Sequence, residues 1–151
     1  GHTTVLPGGR VCSCGRNGCL EMYASARGIC QNYREALHQS NPAAAAPADL
    51  TCQFVGESAQ KGDPVALQAY DVTARWLGIA LANAVAFSEP EAVFLMGGPT
   101  RAGEALLKPL RDYFEENLLF LYKGKVKVLL SQLPQNDVAI LGAAALGMLN
   151  D

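Results

Sequence analysis

His2, Cys12, Cys14 and Cys19 are four side chains able to bind a soft divalent metal, gathered in the first nineteen positions. Three thiolates and one imidazole can close a tetrahedron around a single zinc ion. With every position filled by protein, no place remains for a reactive water, so such an ion would brace the chain and not hydrolyse a substrate. Structural zinc contributes about 10–16 kcal/mol of apparent binding energy in small peptides, enough to order a loop with little core of its own. The Cys-x-Cys spacing also suits a turn with buried thiols or a redox pair. His2 is the weakest of the four ligands on spacing alone, because a terminal Gly-His is also what an expression tag leaves behind.

Glu21 follows directly on this knot. It falls in the first turn of an expected helix, where the dipole favours a carboxylate by about 0.3–1 kcal/mol. Beside a metal-stiffened loop it could also accept paired hydrogen bonds from neighbouring hydroxyls, as a carbohydrate contact does. If His2 holds the metal by one ring nitrogen, the other is free to hydrogen-bond outward, which links metal to ligand. Gly97 and Gly98 form a second candidate at an expected strand-to-helix turn, where exposed amides and missing side chains let a phosphate or nucleotide approach. Neither GxxxxGK[ST] nor GxGxxG is present, so the usual phosphate-loop and dinucleotide readings lack their residues. Cys30 and Cys52 read as packing residues. His38 sits near a helix end and receives no role.

The elements that must position these groups read as follows. Residues 3–6 and 10–12 are expected as short strands around the Pro7-Gly8-Gly9 turn. Glycines 15 and 18 supply the positive φ that lets a chain wrap closely around an ion. Met22, Ala26, Ile29, Tyr33 and Leu37 recur every three or four residues and predict one helix over 20–37. A Pro-bracketed loop covers 40–49, and a short helix ends near Lys61 and Gly62, with Glu57 and Lys61 as an i,i+4 pair. Asp63-Pro64 opens the clearest helix, whose stripe is Leu67, Tyr70, Ala74, Leu77, Leu81 and Ala84. Small residues at 78, 80, 82 and 84 predict close packing there. Ala92–Met96 is expected as a strand buried on both faces. A helix over 101–121 follows, which Pro109 should kink or divide. Then come a strand over 125–130, a loop over 132–135 and an alanine-rich helix over 138–149. This order predicts a right-handed parallel crossover.

Composition sets the outer bounds. The 151 residues fit one domain, and 50% hydrophobic content is ample for a core. A net charge of −2 gives no electrostatic footprint for nucleic acid. The longest apolar stretch, 77–87, contains Gly78 and Asn83 and falls short of the ~20 residues of a membrane span. Five cysteines, three of them clustered, fit a cytoplasmic metal site with two incidental thiols better than a secreted disulfide framework. A chain that starts at Gly1 without a Met points to a processed protein or a piece of a longer one.

Gly1-His2, then Cys12-x-Cys14-Gly15-x-x-Gly18-Cys19-x-Glu21, resembles the signature of the ROK family of bacterial sugar kinases and sugar-responsive repressors. The later Gly97-Gly98 and the run Leu141-Gly142-Ala143-Ala144 are similar to that family too. The likeness covers the whole chain but only the family's C-terminal half. It implies an α/β fold, one lobe of an actin-like (ribonuclease-H-type) sugar kinase ATPase with a zinc-bound loop. Residues 1–151 would form a single domain, with the zinc hairpin at 1–21 and a nucleotide-side portion at 92–151. The resemblance implies zinc on His2, Cys12, Cys14 and Cys19, sugar hydroxyls at His2 and Glu21, and the adenosine of ATP near Gly97 and Gly98. It implies a parent that is a glucokinase-like hexose kinase using ATP and magnesium, or alternatively the sensing domain of a sugar-responsive repressor. The family's general-base aspartate and N-terminal phosphate loop would precede residue 1, so this polypeptide alone would be inactive. A lobe without its partner should expose apolar surface, which predicts homo-oligomers. Pro99 departs from the family, which often has a third glycine there.

Overall fold

Helix α4, Pro64–Ser88, is the axis on which the molecule is built in the computed structural model, which describes residues 1–133 and 138–148. Asp63 caps it, its Oδ1 accepting from the Ala66 N–H at 2.8 Å, and Pro64 follows at the first helical position as expected. The buried face carries Ala66, Ala69, Tyr70, Thr73, Ala74, Gly78, Ala82 and Val85. Leu77 and Leu81 lie partly buried against the core, while Leu67 and Ala84 of the expected stripe face outward. A Cβ at Gly78 would come within 2.9 Å of Phe114 N and Tyr113 Cβ, so this glycine sets the close approach of α5, Glu104–Asn117. Leu106, Leu110 and Phe114 of α5 fill that side of the core.

On the other side, α4 packs against α2, Ala26–Ser40, through Ile29 and Tyr33, and against α3, Cys52–Gln60, through Val55 and Ala59. The single helix expected over 20–37 is two helices. The first, α1, spans Glu21–Ala24, and Ser25 breaks the run with an extended ψ of 168°. Ser25 Oγ then accepts from the Gly28 N–H at 3.1 Å and caps α2. In α3, Glu57 accepts from Gln53 Nε2 at 2.9 Å and does not pair with Lys61.

Strand β1, Ala92–Leu95, and strand β2, Lys127–Leu130, pair in parallel with Ala92 opposite Lys127. The crossover between them is a 3-10 turn, Gly98–Ala102, and then α5. The helix expected from Arg101 therefore starts at Glu104 and ends at Asn117, and Pro109 does not divide it. Val93, Leu95 and Val128 pack on the core. The other face is not covered among the described residues: Phe94 is 64% exposed and Met96 54%. This corrects the expectation of a strand buried on both sides. Helix α6, Val138–Met148, carries Ile140 and Leu141 exposed. The parts of the expected loop and last helix at 134–135 and 149 lie outside the described residues.

The N-terminal strands also differ from expectation. Segments 3–6 and 10–12 do not pair with each other. Instead Thr4 bridges Cys19 and Val11 bridges Asn17, both antiparallel, so the cysteine loop itself is the partner of each.

Candidate metal centre and the carboxylate beside it

The hairpin is held by backbone hydrogen bonds that place the four candidate ligands. Val5 N donates to Gly18 O at 2.8 Å, Gly18 N to Arg10 O at 2.8 Å, and Cys12 N to Arg16 O at 2.9 Å. Gly18 sits at φ +74°, and a Cβ there would fall 1.6 Å from Leu6 O, so no other residue fits. The tip, Cys12 to Arg16, turns through Gly15 at φ +86°. This folding brings His2, Cys12, Cys14 and Cys19 together, with their ligand atoms all within 4.8 Å of one another.

The distances fit the donor set. Zn–S of about 2.3 Å and Zn–N of about 2.0–2.1 Å give tetrahedral edges of about 3.8 Å between sulfurs and about 3.5 Å from sulfur to nitrogen. His2 Nδ1 lies 3.5 Å from Cys12 Sγ, and Cys14 Sγ lies 3.5 Å from Cys19 Sγ. The nitrogen turned toward the sulfurs is thus Nδ1, and Nε2 is the one left for other contacts. Cys12 and Cys19 are buried, while His2 and Cys14 are exposed. The Arg16 N–H and then its guanidinium hold the Cys14 thiol down to about 6. Burial, and after it the neighbouring Cys14 and Cys12, push Cys19 up to about 11. A divalent cation would offset the cost of gathering three thiolates, and Cys14 is the sulfur readiest to give up its proton.

Glu21 opens α1 directly beside this knot. Its N–H donates to Gly1 O at 2.7 Å, and Leu20 N donates to Thr3 O at 2.9 Å. A Cβ on Gly1 would lie 2.5 Å from Glu21 Oε2, so the carboxylate rests against the backbone that carries His2. It faces solvent. The helix it begins has four residues, so the dipole does little and the hairpin does the positioning.

Two residues that the sequence reading passed over tie the hairpin to the core. Tyr23 is buried, and its hydroxyl accepts from Arg10 N at 2.9 Å. The Arg10 guanidinium lies over the Tyr23 ring at 4.6 Å, donates to Met22 O at 2.6 Å and pairs with Glu35 Oε2 at 2.5 Å. Burial raises the Glu35 pKa, but hydrogen bonds from Arg10 and Gln31 and the Arg10 charge outweigh it and hold this carboxyl below its ordinary range. Behind Tyr23, the buried Asn32 Nδ2 donates to Tyr23 O at 3.0 Å and to Thr73 Oγ1 at 2.9 Å, and Thr73 Oγ1 donates to Tyr23 O at 3.2 Å. Asn32 Oδ1 is buried with no hydrogen-bond partner among the described residues. The only signal for these residues was the cap pattern at Ser25, which marks where α1 must turn back onto the core.

Gly97 and Gly98 lie far along the chain from the hairpin, on the turn after β1. Gly97 has φ +103°, and Thr100 N and Oγ1 both donate to its carbonyl, at 3.1 and 2.7 Å. Among the described residues, no heavy atom beyond its chain neighbours lies within 4 Å of a Cβ placed on Gly98. A cavity of about 180 Å³ opens beside it, lined by Gln53, Glu57 and Gln60 of α3 and by Arg101. Pro99 takes an amide donor out of this turn. Cys52 packs against the core as expected, and it also lines the cavity, with its Sγ 3.8 Å from Tyr70 Oη.

Residues 1–148 match the ROK family. The chain is 35% identical over 148 residues to a glucokinase of Halalkalibacterium halodurans, covering 94% of this chain and 44% of that protein. It is 30% identical over 146 residues to the DNA-binding transcriptional dual regulator NagC of Escherichia coli, covering 97% of this chain and 36% of that protein. Among solved structures, a ROK family glucokinase from Streptomyces griseus in complex with glucose and AMPPNP superposes with a TM-score of 0.83 at 31% identity, over 97% of this chain and 49% of that one. The chain spans about half the length of these relatives or less. Its α/β lobe matches that of a ROK kinase, and its His/Cys cluster suits a zinc site. The chain belongs to the ROK family.

Proposed function

We propose that this chain is the C-terminal lobe of an ATP-dependent hexose kinase, glucokinase-like, that is incomplete without its N-terminal lobe. The observation that carries the reading is the placement of Glu21 and His2 on adjoining backbone at the edge of a four-ligand metal knot. In this reading zinc, held by His2, Cys12, Cys14 and Cys19, serves as a brace. With Nδ1 committed to the metal side, His2 presents Nε2–H outward as a donor to a sugar hydroxyl. Glu21 accepts from neighbouring hydroxyls. The Gly97-Gly98 turn and the cavity below it take the adenosine side of the nucleotide. Magnesium and the general-base aspartate that accepts the hydroxyl proton act from the other lobe's side of the cleft. The bare face of β1 and β2 is where a second lobe or a second copy would cover Phe94 and Met96.

The full parent should phosphorylate glucose in the presence of ATP and magnesium. In that parent Glu21→Gln should lower kcat/KM by about 10–150-fold, the worth of about 1.5–3 kcal/mol for hydrogen bonds to a charged group. A parent that shows no ATP-dependent sugar phosphorylation refutes the reading.

The likeness to NagC supports a second reading, the sugar-sensing domain of a transcriptional repressor. The residues upstream of Gly1 separate the two. An Asp-x-Gly-x-Thr loop with a later catalytic aspartate belongs to the kinase, and a DNA-binding helix-turn-helix without them belongs to the repressor.

A further inference from the structure

A concavity of about 400 Å³ opens where the hairpin meets α2, and Glu21 is not part of its lining. Its lining holds three guanidinium groups, Arg10, Arg27 and Arg34, against one carboxylate, Glu35. The lining is therefore doubly positive in a chain whose net charge is −2. Arg10 is fixed by Met22 O, Glu35 and the Tyr23 ring. Arg27 and Arg34 are exposed and make no hydrogen bond or ion pair among the described residues. They stand two turns apart on one face of α2, about 10.5 Å along its axis. Arg27 also sits in the first turn of that helix, where a cation opposes the dipole, and no acid accompanies it there. One local preference, that of the helix dipole, is thus broken at Arg27, on a concave face where a second unpaired guanidinium stands, without any gain among the described residues.

A ligand that supplies the gain must be compact, doubly negative and rich in oxygens matched to a planar fork. Guanidinium groups pair with phosphate oxygens in this bidentate way. We propose that this groove binds a phosphate monoester dianion, gripped by Arg27 and Arg34 with Arg10 as a fixed positive wall. The inference stands apart from the kinase reading, since it uses none of the sugar or nucleotide residues. Free phosphate and a phosphorylated sugar share the chemistry, and the volume leaves room for the larger of them.

The test is an NMR titration of the zinc-loaded 151-residue chain at low ionic strength with inorganic phosphate, glucose 6-phosphate and glucose. Both phosphates should shift signals of Arg27, Gln31 and Arg34. Tighter binding of glucose 6-phosphate makes the ester the ligand, and equal binding makes it the phosphate group itself. The Arg27→Gln/Arg34→Gln double variant should bind at least roughly tenfold more weakly, with zinc content unchanged. The corresponding double lysine variant keeps the charge, loses the fork and should fall between. Absence of shifts at Arg27 and Arg34, equal affinity in the glutamine variant, the same shifts with glucose alone, or tighter binding of a hexaglutamate peptide would each overturn the proposal.

Discussion

Alanine at Gly18 and alanine at Gly15 should behave very differently, although both glycines have φ near +80°. At Gly15 nothing among the described residues, its chain neighbours aside, lies within 4 Å of a new Cβ. The cost is then the left-handed conformation alone, about 1–2 kcal/mol. Because loop folding and metal binding are one equilibrium, that becomes a loss of about 5–30-fold in zinc affinity. At Gly18 the Cβ would fall 1.6 Å from Leu6 O, which is backbone and cannot rotate away. Moving Leu6 out disturbs its carbonyl's bond from Gly9 N and the bonds from Val5 N and Leu6 N to Gly18 O. Three bonds at about 1 kcal/mol each, added to the conformational cost, give about 4–5 kcal/mol, a loss above about 1,000-fold. Competition against a zinc chelator of known affinity measures both variants, and circular dichroism checks that the helices persist. Equal losses in the two variants, within about threefold, would refute the steric argument. Unchanged affinity in Gly18→Ala would refute the hairpin geometry itself.

Other expectations follow from the same contacts. Cys14→Ser should leave the purified chain with less than about a tenth of an equivalent of zinc and speed amide exchange from residue 1 through α1, while α4 and α5 stay protected; unchanged metal content contradicts the ligand set. Treating the wild-type chain with a strong chelator should give the same exchange pattern. Gly78→Ala drives a methyl into Phe114 N and Tyr113 Cβ, so a cost of about 1–3 kcal/mol should lower Tm by roughly 3–10 °C; an unchanged Tm would mean that α4 and α5 are not in close contact. Tyr23→Phe keeps the ring but leaves Arg10 N–H without its acceptor, at about 1–2 kcal/mol, and this should appear as a lower Tm with zinc still bound.

The metal knot was legible because its four ligands are short-range in sequence and their chemistry has few other uses. Helix α4 was legible because Asp63-Pro64 is a local start signal. The split at Ser25 was not seen because the apolar period runs straight across it. What marks the break is a capping serine followed by Gly28, where a Cβ would lie 2.8 Å from the backbone of Tyr23. Arg10 and Tyr23 were missed for a different reason. Their pairing joins a hairpin to a helix face, and no spacing rule reaches across that distance. An unbroken apolar run implies a strand covered on both sides, and β1 is covered on one. In the structure its residues alternate instead, with Val93 and Leu95 inward and Phe94 and Met96 outward.

The Asn32–Thr73–Tyr23 knot has a bearing on how the protein acquires its shape. Tyr23 and Thr73 are fifty positions apart, and bringing such ends together costs about 3.5 kcal/mol of chain entropy beyond a constant. Helix α1 has one turn and cannot persist on its own. The hairpin bonds that place Glu21 close locally, whereas the Tyr23 end of α1 is anchored only once α2 and α4 have met. A chain folding from the coil would thus seat its hairpin on the scaffold last.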